Sequence, residues 1–243
     1  MRLLAFILLL AAAAAGGAFL WFQNAVVSPG PSTESTRVLV ERGSGLARVS
    51  QQLEAAGVIK HARMFQALAT WQGKETALKA GEYLLPAGES MVAILDRLVA
   101  GDVIVHRLTF PEGITTHAIL AQIRATEGLT GNVPEELPEG SLMPASYDFV
   151  WGDSRAAILN RMQKSMQDAV AEAWEARAED IPLQTPEDLV ILASIIEKET
   201  GLEGERGEVA GVFVNRLRKG MKLQSDPTTI YAVTRGKKTL GRG

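Results

Sequence analysis

The pattern of apolar and polar residues begins with a long uncharged run. Leu3 to Phe22 contains no charge and no proline. A helix of this length reaches about 30 Å, the thickness of the hydrocarbon layer of a bilayer. The run predicts a transmembrane anchor over residues 1–23. Because the small residues Ala11 to Ala15 and Ala18 offer cleavage points, a cleaved signal peptide is the alternative.

The residues that flank this run predict its orientation. Arg2 precedes it, and no Lys or Arg follows until Arg37. The positive-inside rule therefore places the N-terminus in the cytoplasm and the rest of the chain in the periplasm or extracytoplasmic space. Trp21 favours an uncleaved single-pass anchor in the cytoplasmic (inner) membrane, because Trp is typical of membrane interfaces. Residues 24–36, with Ser, Pro, Gly and Thr, predict a short linker.

A pattern of strand, turn and helix then recurs three times. Each unit has a β-like run, a turn glycine, two apolar residues four positions apart and a closing glycine that can cap a helix. The turn glycines are Gly43, Gly88 and Gly113. A further helix is predicted over Ala62 to Trp71. We expect the short strands to pair into a small sheet with helices packed on it, a small α/β module.

After Gly131 the pattern becomes helical. Apolar residues at three- and four-residue steps predict one amphipathic helix over Asp153 to Asp180. Thr185 as N-cap and Pro186 in the first turn predict the start of a second helix, and a third is predicted over Arg206 to Lys219. The predicted fold class is α+β, with an N-terminal transmembrane helix, a small α/β module and a mostly helical domain with short strands.

Composition and charge narrow the functional classes. The 243 residues include no cysteine, which excludes thiol nucleophiles, disulfides and cysteine-ligated metals. The spacing of His61, His106 and His117 does not suit a compact zinc site, and nothing in the sequence calls for a cofactor. A formal net charge of −3 argues against nucleic acid as the partner.

The second predicted helix ends in acidic residues that could perform chemistry. Leu189 to Ile196 is uncharged, and Glu197-Lys-Glu199 follows. A helix that is apolar on all sides is surrounded by protein, so its last turn would emerge from a core. Desolvation there raises the pKa of a carboxyl group towards the range of a general acid. The alternative is that Glu197 and Glu199 only mark where the helix meets water.

Polar donors follow this helix and form a candidate binding set. Its members are Asn215, Arg216, Gln224, Ser225, Asp226 and Tyr231. Asp226 has an alternative role as the N-cap of a helix over Thr228 to Val233 that begins after Pro227. Glu205 is a further candidate, as an orienting residue.

Four sequence blocks resemble those of the MltG (YceG-like) endolytic murein transglycosylases. The blocks are Glu139–Tyr147, Leu192–Thr200, Val212–Leu217, and Gly220–Thr228 with Ile230-Tyr231. The resemblance implies a LysM-like module over 37–102 and a catalytic domain over 103–243. It also implies lytic cleavage of peptidoglycan glycan strands at the MurNAc–GlcNAc bond, which leaves a 1,6-anhydro end. The resemblance assigns the catalytic acid to Glu197.

A single carboxyl group fits this chemistry. Glycoside hydrolases use two carboxylates that flank the glycosidic bond. In a lytic transglycosylase the C6 hydroxyl of the sugar replaces water as the nucleophile, so one Glu can act first as acid and then as base. The sequence provides one well-placed Glu. On this interpretation the candidate binding set holds sugar hydroxyls, N-acetyl groups or Glu197 itself.

Two features depart from the family pattern. Ser141, Met143 and Ala145-Ser146 stand where the family usually has Tyr, Phe and Asp-Thr. Family members also continue beyond Gly243, which implies a catalytic domain that is incomplete at the C-terminus. An alternative function is a non-catalytic, membrane-anchored, peptidoglycan-binding adaptor that recruits peptidoglycan synthases. A third is a tethered assembly factor whose basic tail contacts anionic lipid.

Overall fold

The apolar N-terminal run forms helix α1, Arg2–Val27. In the part of the chain that the structure describes, it is the one helix long and apolar enough to cross a membrane, and it fits a single-pass anchor. The helix continues past the expected boundary at residue 23, because Val26 is buried in the core that follows and Phe22 packs against it. The predicted linker over 24–36 therefore begins later than expected.

The computed structural model describes residues 2–237 and divides them into two units. The first comprises residues 2–105 and 150–152, and the second comprises residues 106–149 and 153–237. Helices make up 53% of the residues and strands 9%, which confirms the predicted mixture of helices and small sheets. The end of the expected basic tail, residues 238–243, lies outside the described residues.

The first unit follows the repeated pattern. After α1 its elements are β1 (Thr36–Val40), α2 (Leu46–Ala55), α3 (Ala62–Trp71), β2 (Gly81–Leu85) and α4 (Met91–Ala100). The two strands pair antiparallel, with Val38 opposite Tyr83. The apolar positions at four-residue steps in α2 and α4 are buried with them, so each amphipathic helix covers the small sheet.

The second unit contains most of a second sheet and the remaining helices. Its elements are β3 (Val105–Thr109), α5 (Thr116–Ala125), β4 (Ser146–Val150), α6 (Arg155–Glu175), α7 (Pro186–Glu199), α8 (Arg206–Arg218) and α9 (Asp226–Thr234).

The third repeat does not join the first sheet, which corrects the expectation of one small sheet. Its strand β3 pairs with β4 in a separate two-stranded sheet. The strand β4 begins within the sequence block Glu139–Tyr147 and extends beyond it to Val150, in a segment for which no strand was expected. Its alternate residues Tyr147 and Phe149 are buried in the same core as Leu108 of β3, and this shared burial gives β3 its partner.

Helix α6 is shorter and less buried than its periodicity predicts. It ends at Glu175 rather than at residue 180. Only its N-terminal half enters the core, through Ile158, Leu159 and Met162. Later members of the apolar stripe, such as Met166 and Trp174, are half-buried. The helix is therefore anchored at one end and keeps an apolar face partly open along the other.

Tyr83 fixes the centre of the first unit. Its ring is fully buried, and its hydroxyl donates a hydrogen bond to the backbone carbonyl of Lys79 at 2.7 Å. Burial, with a further contribution from the negative charge of Asp102, raises the pKa of Tyr83 to about 12. The phenol is therefore protonated over a wider pH range in the folded chain than in the unfolded chain.

This difference predicts an alkaline loss of stability. Between the unfolded pKa near 10 and the folded value near 12, the folded state binds more protons than the unfolded state, so the free energy of unfolding falls as pH rises. Tyr83→Phe should remove this part of the pH dependence and cost about 1 kcal/mol at pH 7 for the lost hydrogen bond. Urea unfolding of the full chain in detergent at pH 7, 9 and 11 measures both effects. Equal alkaline slopes for parent and variant would contradict the prediction.

Candidate active site

Helix α7 carries Glu197 and begins with a complete capping box. The side chain of Thr185 accepts a hydrogen bond from the backbone N–H of Asp188, and the carboxylate of Asp188 accepts one from the backbone N–H of Thr185 at 3.0 Å. Asp188 also accepts the N–H of Gln184 at 3.0 Å. These backbone bonds, that of Gln184 first, lower the pKa of Asp188. The predicted N-cap at Thr185 is confirmed.

The expectation that α7 is surrounded by protein is wrong. Leu192 and Ile195 are buried and form a small core with Phe213 of α8. Ile191, on another face of the helix, is 57% exposed. One side of α7 packs and another meets solvent, because the apolar composition of a helix does not by itself provide a partner for each face.

Glu197 lies on the last turn of α7 and forms an ion pair with Arg206. Its Oε2 is 2.8 Å from Nη2 of Arg206, and its side chain is 24% exposed. The carboxyl is therefore partly shielded, yet solvent reaches it. Its immediate partner is a cation rather than the apolar surroundings expected from the sequence.

Arg206 contacts a second carboxylate at the same nitrogen. Its Nη2 donates a hydrogen bond to Oε2 of Glu112 at 2.7 Å. The negative charge of Glu197, followed by the hydrogen bond and charge of Glu112, raises the pKa of Arg206. One guanidinium thus joins the turn after β3, the end of α7 and the start of α8.

Gly113, in the turn between β3 and α5, lies against the base of the Glu197 side chain. Its φ is +69°, and a Cβ built there would lie 3.3 Å from Cγ of Glu197 and 3.2 Å from Cε of Lys198. The left-handed backbone and the close approach both favour glycine. The turn glycine of the third repeat therefore borders the candidate catalytic side chain.

Hydrogen bonds tie the C-terminal end of α7 to the elements that follow. Ser225, which is buried, donates a short hydrogen bond to Oε1 of Glu199. Thr200 donates from Oγ1 to Oε2 of Glu205 at 2.9 Å. Glu205, considered as an orienting residue, thus contacts the residue after the helix, whereas the charged partner of Glu197 is Arg206.

Two predicted binding residues, one on α8 and one in the loop before α9, are hydrogen-bonded to each other. Arg216 donates from Nη2 to Oε1 of Gln224 at 2.9 Å and from Nε to the carbonyl of Lys222 at 3.0 Å. Gln224 has a φ of +51°, a left-handed conformation uncommon for a residue with a side chain. These bonds hold the loop in a defined shape.

The N-cap of α9 is Ser225 rather than Asp226, and the helix begins at Asp226 instead of Thr228. Asp226 occupies the first turn, where a negative charge suits the helix dipole, and its side chain is exposed. The structure therefore corrects the alternative interpretation of Asp226 as a cap.

The two remaining predicted binding residues present exposed side chains. Asn215 lies on the solvent side of α8, and Tyr231 lies on α9. Burial raises the pKa of Tyr231, and the negative charge of Glu139 adds to the effect. Glu139 itself accepts the N–H of Thr116 at the start of α5, at 2.7 Å. The block that begins at Glu139 thus lies near the helix that carries Tyr231.

Sequence reasoning missed Glu112, Gly113 as a neighbour of Glu197, and Arg206. One signal for Arg206 was present: a cation in the first turn of a helix opposes the helix dipole, as an acid in the last turn does. The same criterion applies to Glu197, an acid in the last turn of α7. Nothing in the local pattern indicates Glu112, because its contact with Arg206 spans many intervening residues. Within residues 2–237, no group of three or more histidine or acidic side chains could hold a metal ion.

The bond from Ser225 to Glu199 predicts a local contribution to stability. Ser225→Ala removes a buried donor to a charged acceptor and should lower the free energy of unfolding by about 1.5–3 kcal/mol. Ser194→Ala is the matched control, because the exposed Ser194 hydroxyl donates only to the carbonyl of Ile191 in its own helix. Denaturant unfolding measures both variants. Equal destabilisation by the two would contradict a tie between α7 and α9.

A sequence model of the YceG-like family matches residues 38–242. The endolytic murein transglycosylase of Bacillus subtilis is 26% identical over 254 residues, which covers 91% of this chain and 70% of that protein. The endolytic murein transglycosylase of Streptococcus pneumoniae is 27% identical over 276 residues, and the match covers 94% of this chain but 49% of that protein. The chain therefore spans about half the length of the streptococcal relative.

A solved structure of a yceG-like protein from Listeria monocytogenes is also similar. It is 26% identical, with a TM-score of 0.43, and the match covers 87% of this chain and 79% of that chain. The family match extends over most of the 243 residues and includes the whole segment from β3 to α9. The chain belongs to the YceG-like family.

Proposed function

We propose that this chain is an endolytic peptidoglycan lytic transglycosylase. It would cleave the MurNAc–GlcNAc bond of nascent glycan strands and leave 1,6-anhydroMurNAc ends. Family membership and the names of the relatives support this reaction class. The observation that carries the proposal is the placement of the Glu197 carboxyl, which is partly exposed at the end of a capped helix beside the Gly113 turn.

Glu197 acts twice in the proposed reaction. The protonated carboxyl gives its proton to the glycosidic oxygen of GlcNAc as the bond from that oxygen to C1 of MurNAc breaks. The resulting carboxylate then takes the proton of the C6 hydroxyl of MurNAc as O6 bonds to C1. The acid is regenerated and no water is consumed, so a second catalytic carboxylate is not required.

The geometry divides the proposed sugar-binding set. Asn215, Asp226 and Tyr231 are exposed, so we assign them to sugar hydroxyls and N-acetyl groups. The other three members are hydrogen-bonded within the protein, and we assign them to shaping the loop that presents Asp226. This division follows from which side chains are hydrogen-bonded within the protein, since Gln224 is itself exposed.

We assign the segment 37–102 to a LysM-like, glycan-binding module and 103–243 to the catalytic domain. The helix α1 would anchor the chain with its N-terminus in the cytoplasm, so that the site faces the extracytoplasmic space, where peptidoglycan lies. This placement also puts the enzyme beside the synthases that produce nascent strands, which we propose as partners.

Replacement of the proposed acid provides the main test. Glu197→Gln keeps the shape of the side chain but cannot donate the proton, so activity should fall by at least about 100-fold. Purified sacculi are digested with the full chain in detergent, and the products are analysed by mass spectrometry for anhydro ends, which are lighter than hydrolysed ends by one water.

Glu187→Gln, at the exposed start of the same helix, is the matched control and should leave the activity unchanged. Full activity in Glu197→Gln would overturn the assignment of the acid. Glycan binding without cleavage by the parent chain would instead favour the non-catalytic adaptor.

A methyl group at Gly113 tests the fit of the turn beside Glu197. Gly113→Ala places a carbon 3.3 Å from Cγ of Glu197 and should lower kcat by about tenfold, because small displacements of a catalytic group are costly. Gly131→Ala is matched for its left-handed backbone, with a φ of +81°, but meets no atom within 4 Å. Steady-state kinetics on the same glycan measure kcat for both variants. Equal losses of kcat would show that backbone strain alone causes the effect, which would contradict the prediction.

A further inference from the structure

Arg206 divides one positive charge between two carboxylates. Both contacts use the same nitrogen, Nη2, at 2.7 Å from Glu112 and 2.8 Å from Glu197. A guanidinium committed to one carboxylate forms a two-nitrogen fork. Here the Nε of Arg206 is buried and has no hydrogen-bond partner among residues 2–237. The guanidinium therefore contacts two carboxylates through one nitrogen instead of pairing through two nitrogens with a single carboxylate.

Both contacts are ion pairs. The contact with Glu112 is also a hydrogen bond, so Glu112 orients the guanidinium from the turn after β3 and places its charge beside Glu197. A cation beside a carboxyl favours the ionised form, whereas a nearby second carboxylate disfavours it. Arg206 and Glu112 therefore act on Glu197 in opposite directions.

We propose that Glu112 and Arg206 are positioning residues that together set the protonation of Glu197. The proposal rests on the proposed function. An acid that has to donate and then recover a proton works best when neither form dominates. Sharing with Glu112 weakens the influence of the Arg206 charge on Glu197. The pair also fixes the carboxyl against the Gly113 turn.

Other charged groups lie near the C-terminal end of α7, and they are left unchanged in all variants of the test. The neighbours on α7, the turn before α8, and α9 are Lys198, Glu199, Glu203, Glu205 and Asp226. Glu199 and Glu205 are already hydrogen-bonded to Ser225 and Thr200. Of the rest, Glu203 acts on Arg206, and Lys198 borders Gly113. None of these changes between parent and variants.

The test compares pH profiles of kcat/KM for two opposite substitutions in the full chain. Glu112→Gln leaves the whole charge of Arg206 to Glu197, so the alkaline limb should move to lower pH by about half a unit, a modest shift because the groups are partly exposed. Arg206→Gln should move that limb to higher pH. Arg206→Lys restores the charge and should return the limb towards the parent position.

Glu208→Gln, an exposed change in the first turn of α8, is the control and should leave the limb in place. High salt should shrink the difference between Glu112→Gln and the parent, because exposed charges are screened. The proposal would be overturned if the alkaline limb of the kcat/KM profile stayed in place in both Glu112→Gln and Arg206→Gln, or moved in the same direction in both. Glu112 and Arg206 would then have only a structural role.

A second readout does not depend on activity. Carbon-13 NMR of glutamate-labelled chain, with the Glu197 signal assigned by its loss in Glu197→Gln, follows the titration of this carboxyl directly. The midpoint should fall in Glu112→Gln and rise in Arg206→Gln. An inactive parent whose Glu197 midpoint still moves in these opposite directions would contradict the proposed function alone. An active parent with an unmoved midpoint would contradict the proposal about Glu112 and Arg206 alone.

Discussion

The guanidinium of Arg206 links three segments of the second unit that are far apart in the sequence. It contacts Glu112 after β3 and Glu197 at the end of α7, and it starts α8. A cation there is unfavourable for the helix that bears it, so its placement is stabilised by the two carboxylates rather than by local structure. This bridge connects Glu197 to the turn beside it.

Other contacts hold helix α7, which carries Glu197, at both of its ends while one side of the helix stays exposed. A capping box fixes the start of α7, and the bond from Ser225 to Glu199 fixes its end to α9. Between these points only one side of the helix is buried, against Phe213 of α8. Backbone and polar constraints therefore determine the orientation of α7 to a greater extent than its apolar composition would suggest.

The repeated pattern of strand, turn and helix serves two purposes in this chain. In the first unit two repeats share one sheet and one core around Tyr83. In the third repeat the same pattern pairs with β4, and its turn supplies Glu112 and Gly113 to the candidate active site. A similar local sequence thus builds a packing element in one place and part of a reactive site in another, because the partner strand differs.

The sequence by itself determined the local elements: the apolar N-terminal helix, the capped start of α7, the repeated short strands and the block that contains Glu197. These depend on periodicity and on contacts a few residues apart, which a sequence displays directly. Only the tertiary structure decided which strand β3 pairs with, which face of α7 stays open, and that Arg206 and Glu112 accompany Glu197. Those outcomes depend on long-range pairing and on the orientation of charged side chains, for which local propensity contains no information.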